Sequence, residues 1–303
     1  LVFAGGALSW LVAIPIYSYK NGWDGEVYSA AWDIWNTKIR YLGVGAMVVG
    51  GIWSLIKLGK PLFDGIRSSI SAYSHFGGNS DIPKEEQDFP IKYVFIALVA
   101  LFIPVFFLYL DVIGSVPLAV LLSIVMLVFG FLFSAVASYM AGIVGSSNNP
   151  ISGVTIATIL FSSLLLLTLL GTGSSEGAAS AILIGAVVCC AAAIGGDNLQ
   201  DLKTGHIVGA TPWKQQVMQV IGTLAAAAVL GLVLDILHTA YTIGSADLPA
   251  PQATLMKSVA EGVFSGGLPW EMVGAGAIIG MIIIILEVIQ EKRGASFRLR
   301  FWP

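Results

Sequence analysis

Long runs of apolar residues, each about as long as a bilayer is thick, constrain this chain more than any other feature. A helix needs about 20 mostly apolar residues to cross the hydrocarbon core, and about eight runs meet that length. They lie near residues 1–19, 41–58, 91–110, 117–144, 151–170, 178–195, 217–241 and 269–288. Because lipid cannot satisfy free backbone groups, runs of this length predict helices. We therefore expect an all-α fold, a polytopic transmembrane helical bundle of about eight spans.

Composition excludes several other classes of protein. Charged residues make up only 11% of the chain, whereas soluble domains carry about 25%. The net charge of −3 and the lack of a basic stripe give no reason to expect a nucleic-acid partner. Cys189 and Cys190 are adjacent in an apolar run, a pattern that predicts small packing residues rather than a metal site. The sequence predicts neither a metal nor a cofactor.

We treat residues 1–303 as a single membrane domain and as a fragment of a larger protein, because the first residue already lies in an apolar run. Within it, residues 59–90 are predicted to be a cytoplasmic loop that contains an interfacial helix after Pro61. The aromatic residues Tyr28, Trp32 and Trp35 share one helical face and predict a second interfacial helix. Glu287 lies near the end of the last run, where a carboxylate can reach the headgroup layer.

The stretch from Val112 to Ser175 contains no Asp, Glu, Lys, Arg or His, and its middle reads GSSNNPISG over residues 145–153. Proline breaks a helix and pushes the preceding residue out of helical geometry. We therefore expect a broken, re-entrant-like segment here. Unwound backbone and amide side chains can hold polar groups of a transported substrate, although a tight polar turn between two spans would need the same residues. The candidates for a substrate path are Asn148, Asn149, Pro150, Ser152 and Gly153.

A second polar segment covers residues 195–216 between two apolar runs. Its carboxylates, lysine and amides would suit either a solvated loop or a gate whose charges pair and separate. The gate and proton-coupling candidates in it are Asp197, Gln200, Asp201 and Lys203.

Asp235 and His238 are a third candidate group for proton coupling. They stand three residues apart in an apolar run, and hence on one helical face. An ionisable residue inside a span is costly and suggests function, and an imidazole beside a carboxylate can carry a proton. Both residues are also near the end of the run, where the membrane interface would tolerate them.

Four sequence motifs in order resemble the oligopeptide transporter (OPT) family, which includes the yellow-stripe-like metal-chelate transporters. GSSNNPISG resembles its NPxSG-type motif, and the similarity covers about residue 90 to Arg298. The other three motifs are GGDNLQDLKTGHIVGATPWKQQ at 195–216, LPAPQATLM at 248–256 and GGLPW at 266–270.

The resemblance implies a secondary active transporter rather than an enzyme. Its expected activity is proton-coupled symport of oligopeptides or peptide-like metal chelates, with the substrate, protons and the lipid bilayer as partners. The expected location is the plasma or inner membrane. Family members have more spans than this chain, which resembles an incomplete, mainly C-terminal portion.

Two other functions are alternatives to the transporter. A channel-type pore could use a half-helix that ends at Asn149-Pro150, but this architecture needs a second such break and the sequence has none. A membrane-embedded enzyme would need a catalytic motif. The chain contains no HExxH, and Gly195-Gly196-Asp197 follows Ile194 rather than completing a GxGD motif.

The distribution of basic residues predicts the orientation. If every run crosses, 11 of the 15 Lys and Arg residues lie on one side, and the richer side faces the cytoplasm. This places 59–90, 196–214 and 289–303 in the cytoplasm. In a protein without Cys189 and Cys190, a cysteine at position 84 should react with an impermeant maleimide only after the membrane is opened. A cysteine at position 257 should react in intact cells, and the opposite pattern would reverse the orientation.

Overall fold

The computed structural model describes residues 2–75 and 83–293. Over these ranges the chain is helical with no strand, which confirms the predicted all-α fold. The α-helices are α1 (Val2–Ala7), α2 (Ile14–Asn21), α3 (Val27–Ile34), α4 (Arg40–His75), α5 (Ile91–Ile113), α6 (Val116–Val144), α7 (Ile151–Leu170), α8 (Ser175–Val208), α9 (Pro212–Tyr241), α10 (Pro251–Ser265) and α11 (Trp270–Lys292). The π-helical turns Leu8–Ala13 and Trp35–Ile39 join α1 to α2 and α3 to α4, and short 3-10 turns occupy Lys84–Glu86 and Ser146–Asn148.

Seven helical stretches in the described residues are long and apolar enough to cross a membrane, by length and composition. They cover Val27–Pro61, Lys92–Ile113, Val116–Ile143, Ile151–Leu170, Ser175–Val208, Pro212–Tyr241 and Trp270–Lys292. The described part of the predicted run at 1–19 is helical but is not among these seven stretches.

The chain divides into two compact units, residues 1–54 with 267–303 and residues 55–266. In the first unit, the helices on either side of residues 22–26 pack through aromatic rings. The ring centroid of Trp10 lies 5.1 Å from that of Trp32 and 6.4 Å from that of Trp35. Ile14, Ile34 and Ile39 form a buried cluster beside these rings.

Two predicted interfacial helices are not separate elements. The aromatic residues of α3 continue through a π turn into α4, because no Gly or Pro occurs between Val27 and Leu42. Likewise, α4 runs through Pro61 to His75, since one missing hydrogen bond does not end a long helix. Residues 76–82 of the predicted loop lie outside the described residues.

Helices α4 and α11 are in close contact at Gly276 and Gly280, a GxxxG pair of the kind that lets membrane helices approach closely. A methyl group on Gly276 would overlap the backbone of Leu42, and one on Gly45 would overlap the Val273 carbonyl. At Gly280 the added carbon would lie 3.3 Å from the Cα of Ala46. Further along α11, Glu287 is only 5% exposed, so the expectation that it reaches the interface is wrong.

In the second unit, α6 and α7 pack on the long helix α8. The contacts of α6 advance in step with α8, from Ser134 with Ala191 to Gly142 with Leu199, so these helices are parallel. The contacts of α7 run the opposite way, since Ile159 fills the space at Gly185 and Leu170 lies near Gly177. Helix α5 packs against α6, and α10 packs against α7 and α8.

Replacing Gly276 with alanine should destabilise the α4–α11 contact by roughly 1–3 kcal/mol, as expected for overpacking. The matched control is Gly274→Ala on the same helix, where nothing lies within 4 Å of the added carbon and alanine favours the helix. Thermal unfolding of the two purified variants in one detergent measures the difference. Equal melting temperatures would show that α4 does not rest on Gly276.

Candidate functional site

The predicted break between two spans is present at residues 145–150. Helix α6 ends at Val144 and is capped by Gly145, whose φ of 88° favours glycine. A 3-10 turn follows over Ser146–Asn148. Asn149 is extended, with φ −64° and ψ 129°. Because α7 begins at Ile151, the candidates Ser152 and Gly153 lie in its first turn, with Ser152 exposed and Gly153 buried.

Asn149 attaches the break to α8, more than 40 positions away in the chain. Its Nδ2 donates a hydrogen bond of 3.2 Å to the carbonyl oxygen of Ala192. The amide fits there because residue 196 is glycine, and a methyl group at that position would overlap Nδ2. Pro150 is buried beside it, whereas the side chain of Asn148 lies outside what the structure describes. Asn149 therefore holds non-helical backbone against a helix that covers it.

Gln200 is the gate candidate that the structure brings to the break. The Ser146 hydroxyl donates to Gln200 Oε1 at 2.9 Å, and the Gln200 amide nitrogen lies 3.6 Å from where a Cβ on Gly145 would stand. Two predicted segments, 145–153 and 195–203, thus meet in one place.

Three polar residues that the sequence did not single out also belong to this place. Ser134 donates from Oγ to the carbonyl oxygen of Ala191 at 2.8 Å, and Ser138 faces Gly195. Their spacing of four residues in an uncharged span is the signal that could have found them. Asn198 is half-buried, and its Oδ1 is buried without a hydrogen-bond partner among the described residues.

The segment 195–208 is helical, which differs from the loop that its polarity suggested. Helix α8 continues to Val208, and only residues 209–211 separate it from α9. No proline interrupts the helix before Pro212, and polar residues can extend a helix beyond lipid. The break at 145–150 contacts α8 at Gln200. This contact lies eight residues, or about 12 Å, before the end of α8.

The charged candidates on α8 have different surroundings. Asp197 and Asp201 are both exposed and share a helical face. Asp201 accepts a hydrogen bond of 2.9 Å from Gln219 Nε2, and its backbone carbonyl accepts one of 3.2 Å from Gln215. Lys203 is two positions further, on another face, and makes no ion pair with a described residue.

Asp235 and His238 are not brought to the break. Both are exposed on α9, and Asp235 lies about 24 Å along the helix from Gln219, which contacts α8. His238 accepts a hydrogen bond at Nδ1 from the backbone N–H of Ile243 at 3.2 Å, so it stabilises the turn after α9. Among the described residues, no group of three or more His, Cys, Asp or Glu could hold a metal ion.

Replacing Gly196 with alanine should displace Asn149 from Ala192 and lower stability by roughly 1–3 kcal/mol. Gly142→Ala is the matched control, because its added carbon would meet only Leu199 Cδ1 at an ordinary 3.9 Å. Melting temperature and the reactivity of a cysteine at exposed position 147 report the change. If both variants match the parent protein, Asn149 does not fix the break.

Comparisons with known proteins point to one family. A family profile described as OPT oligopeptide transporter protein matches residues 1–299, so the similarity extends well before residue 90. A Haemophilus influenzae protein, whose name assigns it provisionally as an oligopeptide transporter, is 33% identical over 95% of this chain and 50% of its own length. The chain thus spans about half the length of that relative.

A Saccharomyces cerevisiae protein, YGL114W, is also named provisionally as an oligopeptide transporter. It is 33% identical over 31% of this chain and 13% of its own length. No solved structure matches the chain. The match over residues 1–299 and the extended similarity to the bacterial relative show that this multi-pass membrane chain belongs to the OPT oligopeptide transporter family.

Proposed function

We propose that this chain forms part of a secondary active transporter that carries oligopeptides, or peptide-like metal chelates, across a membrane together with protons. Family membership supports the transport of peptides, and seven candidate spans provide the membrane context. The proposed location is the plasma or inner membrane, where a proton gradient is available. Because the chain covers half of its bacterial relative, the proposal concerns the full-length protein.

The observation that carries the proposal is the break at 145–150. It lies between α6 and α7, which contain no charged residue, and it is held against α8. Asn149 Oδ1 and Asn198 Oδ1 are buried acceptors without a partner among the described residues. A buried acceptor that stays unpaired is costly, about 1–3 kcal/mol. The N–H groups of a peptide lose their hydrogen bonds to water when the peptide enters the membrane. Preorganised amide oxygens of the protein can accept hydrogen bonds from these N–H groups instead.

Charged groups on α8 suit the remaining parts of a peptide. Asp197 and Lys203 are exposed and make no ion pair with a described residue, so they can meet the charged ends of a substrate near the polar end of α8. Asp201 and, further away, Asp235 with His238 are the proposed proton-coupling groups. A proton on Asp201 would remove the negative charge that accepts from Gln219, which links protonation to the α8–α9 contact.

Ser152 offers a test that separates transport from folding. Asn149 is not suitable for this test, because it also holds the break in place and its substitution would change both transport and folding. In the full-length protein, Ser152→Leu should lower uptake of labelled peptides by roughly two- to tenfold, the effect of about one hydrogen bond. The side chain is exposed, so the amount of folded protein should stay the same.

Uptake is measured in sealed vesicles with and without a proton gradient, and Thr223→Leu on exposed α9 is the control. Parent protein and control should accumulate peptide only with the gradient. Equal uptake by Ser152→Leu would exclude the first turn of α7 from the substrate path. Accumulation that ignores the gradient would contradict proton coupling.

A further inference from the structure

A pocket outside the proposed substrate path forms where the segment before α5 docks on the start of α9. The backbone N–H of Phe89 donates to Gln216 Oε1 at 3.1 Å. In return, the backbone N–H of Trp213 donates to the carbonyl oxygen of Gln87 at 3.1 Å. These two bonds bring together the first turns of α5 and α9.

The pocket has a volume of about 510 Å³, within the range of roughly 300–1,000 Å³ typical of small-molecule sites. Three of its six lining residues are aromatic, and the ring centroids of two of them, Phe89 and Tyr93, lie 5.9 Å apart. The lining residues are Gln87, Asp88, Phe89, Pro90, Tyr93 and Trp213.

Charges of both signs surround these rings. Lys92 Nζ lies 4.9 Å from the centroid of the Tyr93 ring, and Lys214 Nζ lies 5.7 Å from that of Trp213. Asp88 is itself one of the lining residues, and partial burial raises the pKa of its carboxyl group above the ordinary value. Asp88 makes no ion pair with a described residue. Two lysine ammonium groups thus lie beside rings that line the pocket, and Asp88, which has no ion-pair partner among the described residues, is part of the lining.

The position of the pocket in the chain indicates that it lies in the headgroup layer of the membrane. It lies at the start of two candidate spans, α5 with 23 residues and α9 with 30. Aromatic and lysine side chains at the ends of spans occupy the headgroup layer. These two helices have the least protein cover among the seven candidates, with 11% and 0% of their apolar windows buried. Within the described part of the chain, most of both helices is left uncovered, which leaves room for lipid acyl chains along them below the pocket.

We propose that this pocket binds the headgroup of a phospholipid of the ethanolamine type. The lipid phosphate pairs with the ammonium groups of Lys92 and Lys214. The ethanolamine ammonium faces the Asp88 carboxylate and the aromatic rings, which attract cations. A headgroup with only negative charge satisfies the lysines but meets Asp88 unfavourably, so charge complementarity selects the zwitterion.

Lipid retention by the full-length protein tests the proposal. The protein is purified in mild detergent and titrated with dihexanoyl phosphatidylethanolamine, phosphatidylglycerol or inorganic phosphate, and bound lipid is counted by native mass spectrometry. The ethanolamine lipid should bind most tightly. The double variant Lys92→Gln/Lys214→Gln should weaken its binding by at least about tenfold, consistent with loss of charge-assisted bonds. Asp88→Asn should weaken binding of phosphatidylethanolamine but not binding of phosphatidylglycerol.

Lys257→Gln, an exposed lysine on α10, is the control and should leave binding unchanged. Melting temperatures of all variants confirm that they are folded. Unchanged retention in the double variant, or equal loss in Lys257→Gln, would overturn the site. Tighter binding of the glycerol lipid would overturn the zwitterionic assignment, and equal competition by inorganic phosphate would identify a free anion instead of a lipid. Peptide uptake does not enter this readout, so the result is independent of the proposed function.

Discussion

The requirement that every backbone polar group find a partner within the protein governs this structure. In lipid this requirement produces helices, and it also limits where a helix can stop. At residues 145–150 the chain leaves helical geometry, and the exposed groups are paired locally: Gly145 N–H with Ala141, and Asn149 N–H with Ser146. Asn149 and Ser146 then attach the turn to α8. The break is tolerated because α8 covers it.

Small residues make that cover possible. Gly185 leaves room for Ile159, Gly195 for Ser134 and Ser138, and Gly196 for Asn149. Because apolar burial does not drive helix association in lipid, close approach and hydrogen bonds between helices take its place. Because these glycines have no side chain, α8 can contact α6, α7 and the break at the same time. One helix thus organises both the core and the candidate site.

Local sequence patterns predicted the all-α fold and the position of the break, but not the short helix α10. Apolar runs predicted most of the helices, and Pro150 predicted the position of the interruption to within a few residues. The extension of α8 was missed because polarity was interpreted as a loop, although Asp197 to His206 continue a helix without a proline. The contact of Asn149 with Ala192 joins positions 43 residues apart, which no local periodicity records. The spacing of Asp235 and His238 was read correctly, but spacing does not show what surrounds a helical face.

The hydrogen bond between Phe89 and Gln216 has a consequence for biosynthesis. Its two residues are 127 positions apart in the chain. At a synthesis rate of about 5–20 residues per second, the partner of Phe89 emerges roughly 6–25 s later. During this interval the start of α5 lacks the support of α9, while the rest of α5 and three further helices, α6 to α8, are made and inserted. The entry of α5 is therefore fixed late, and premature termination before Gln216 would leave its aromatic residues available to quality-control machinery.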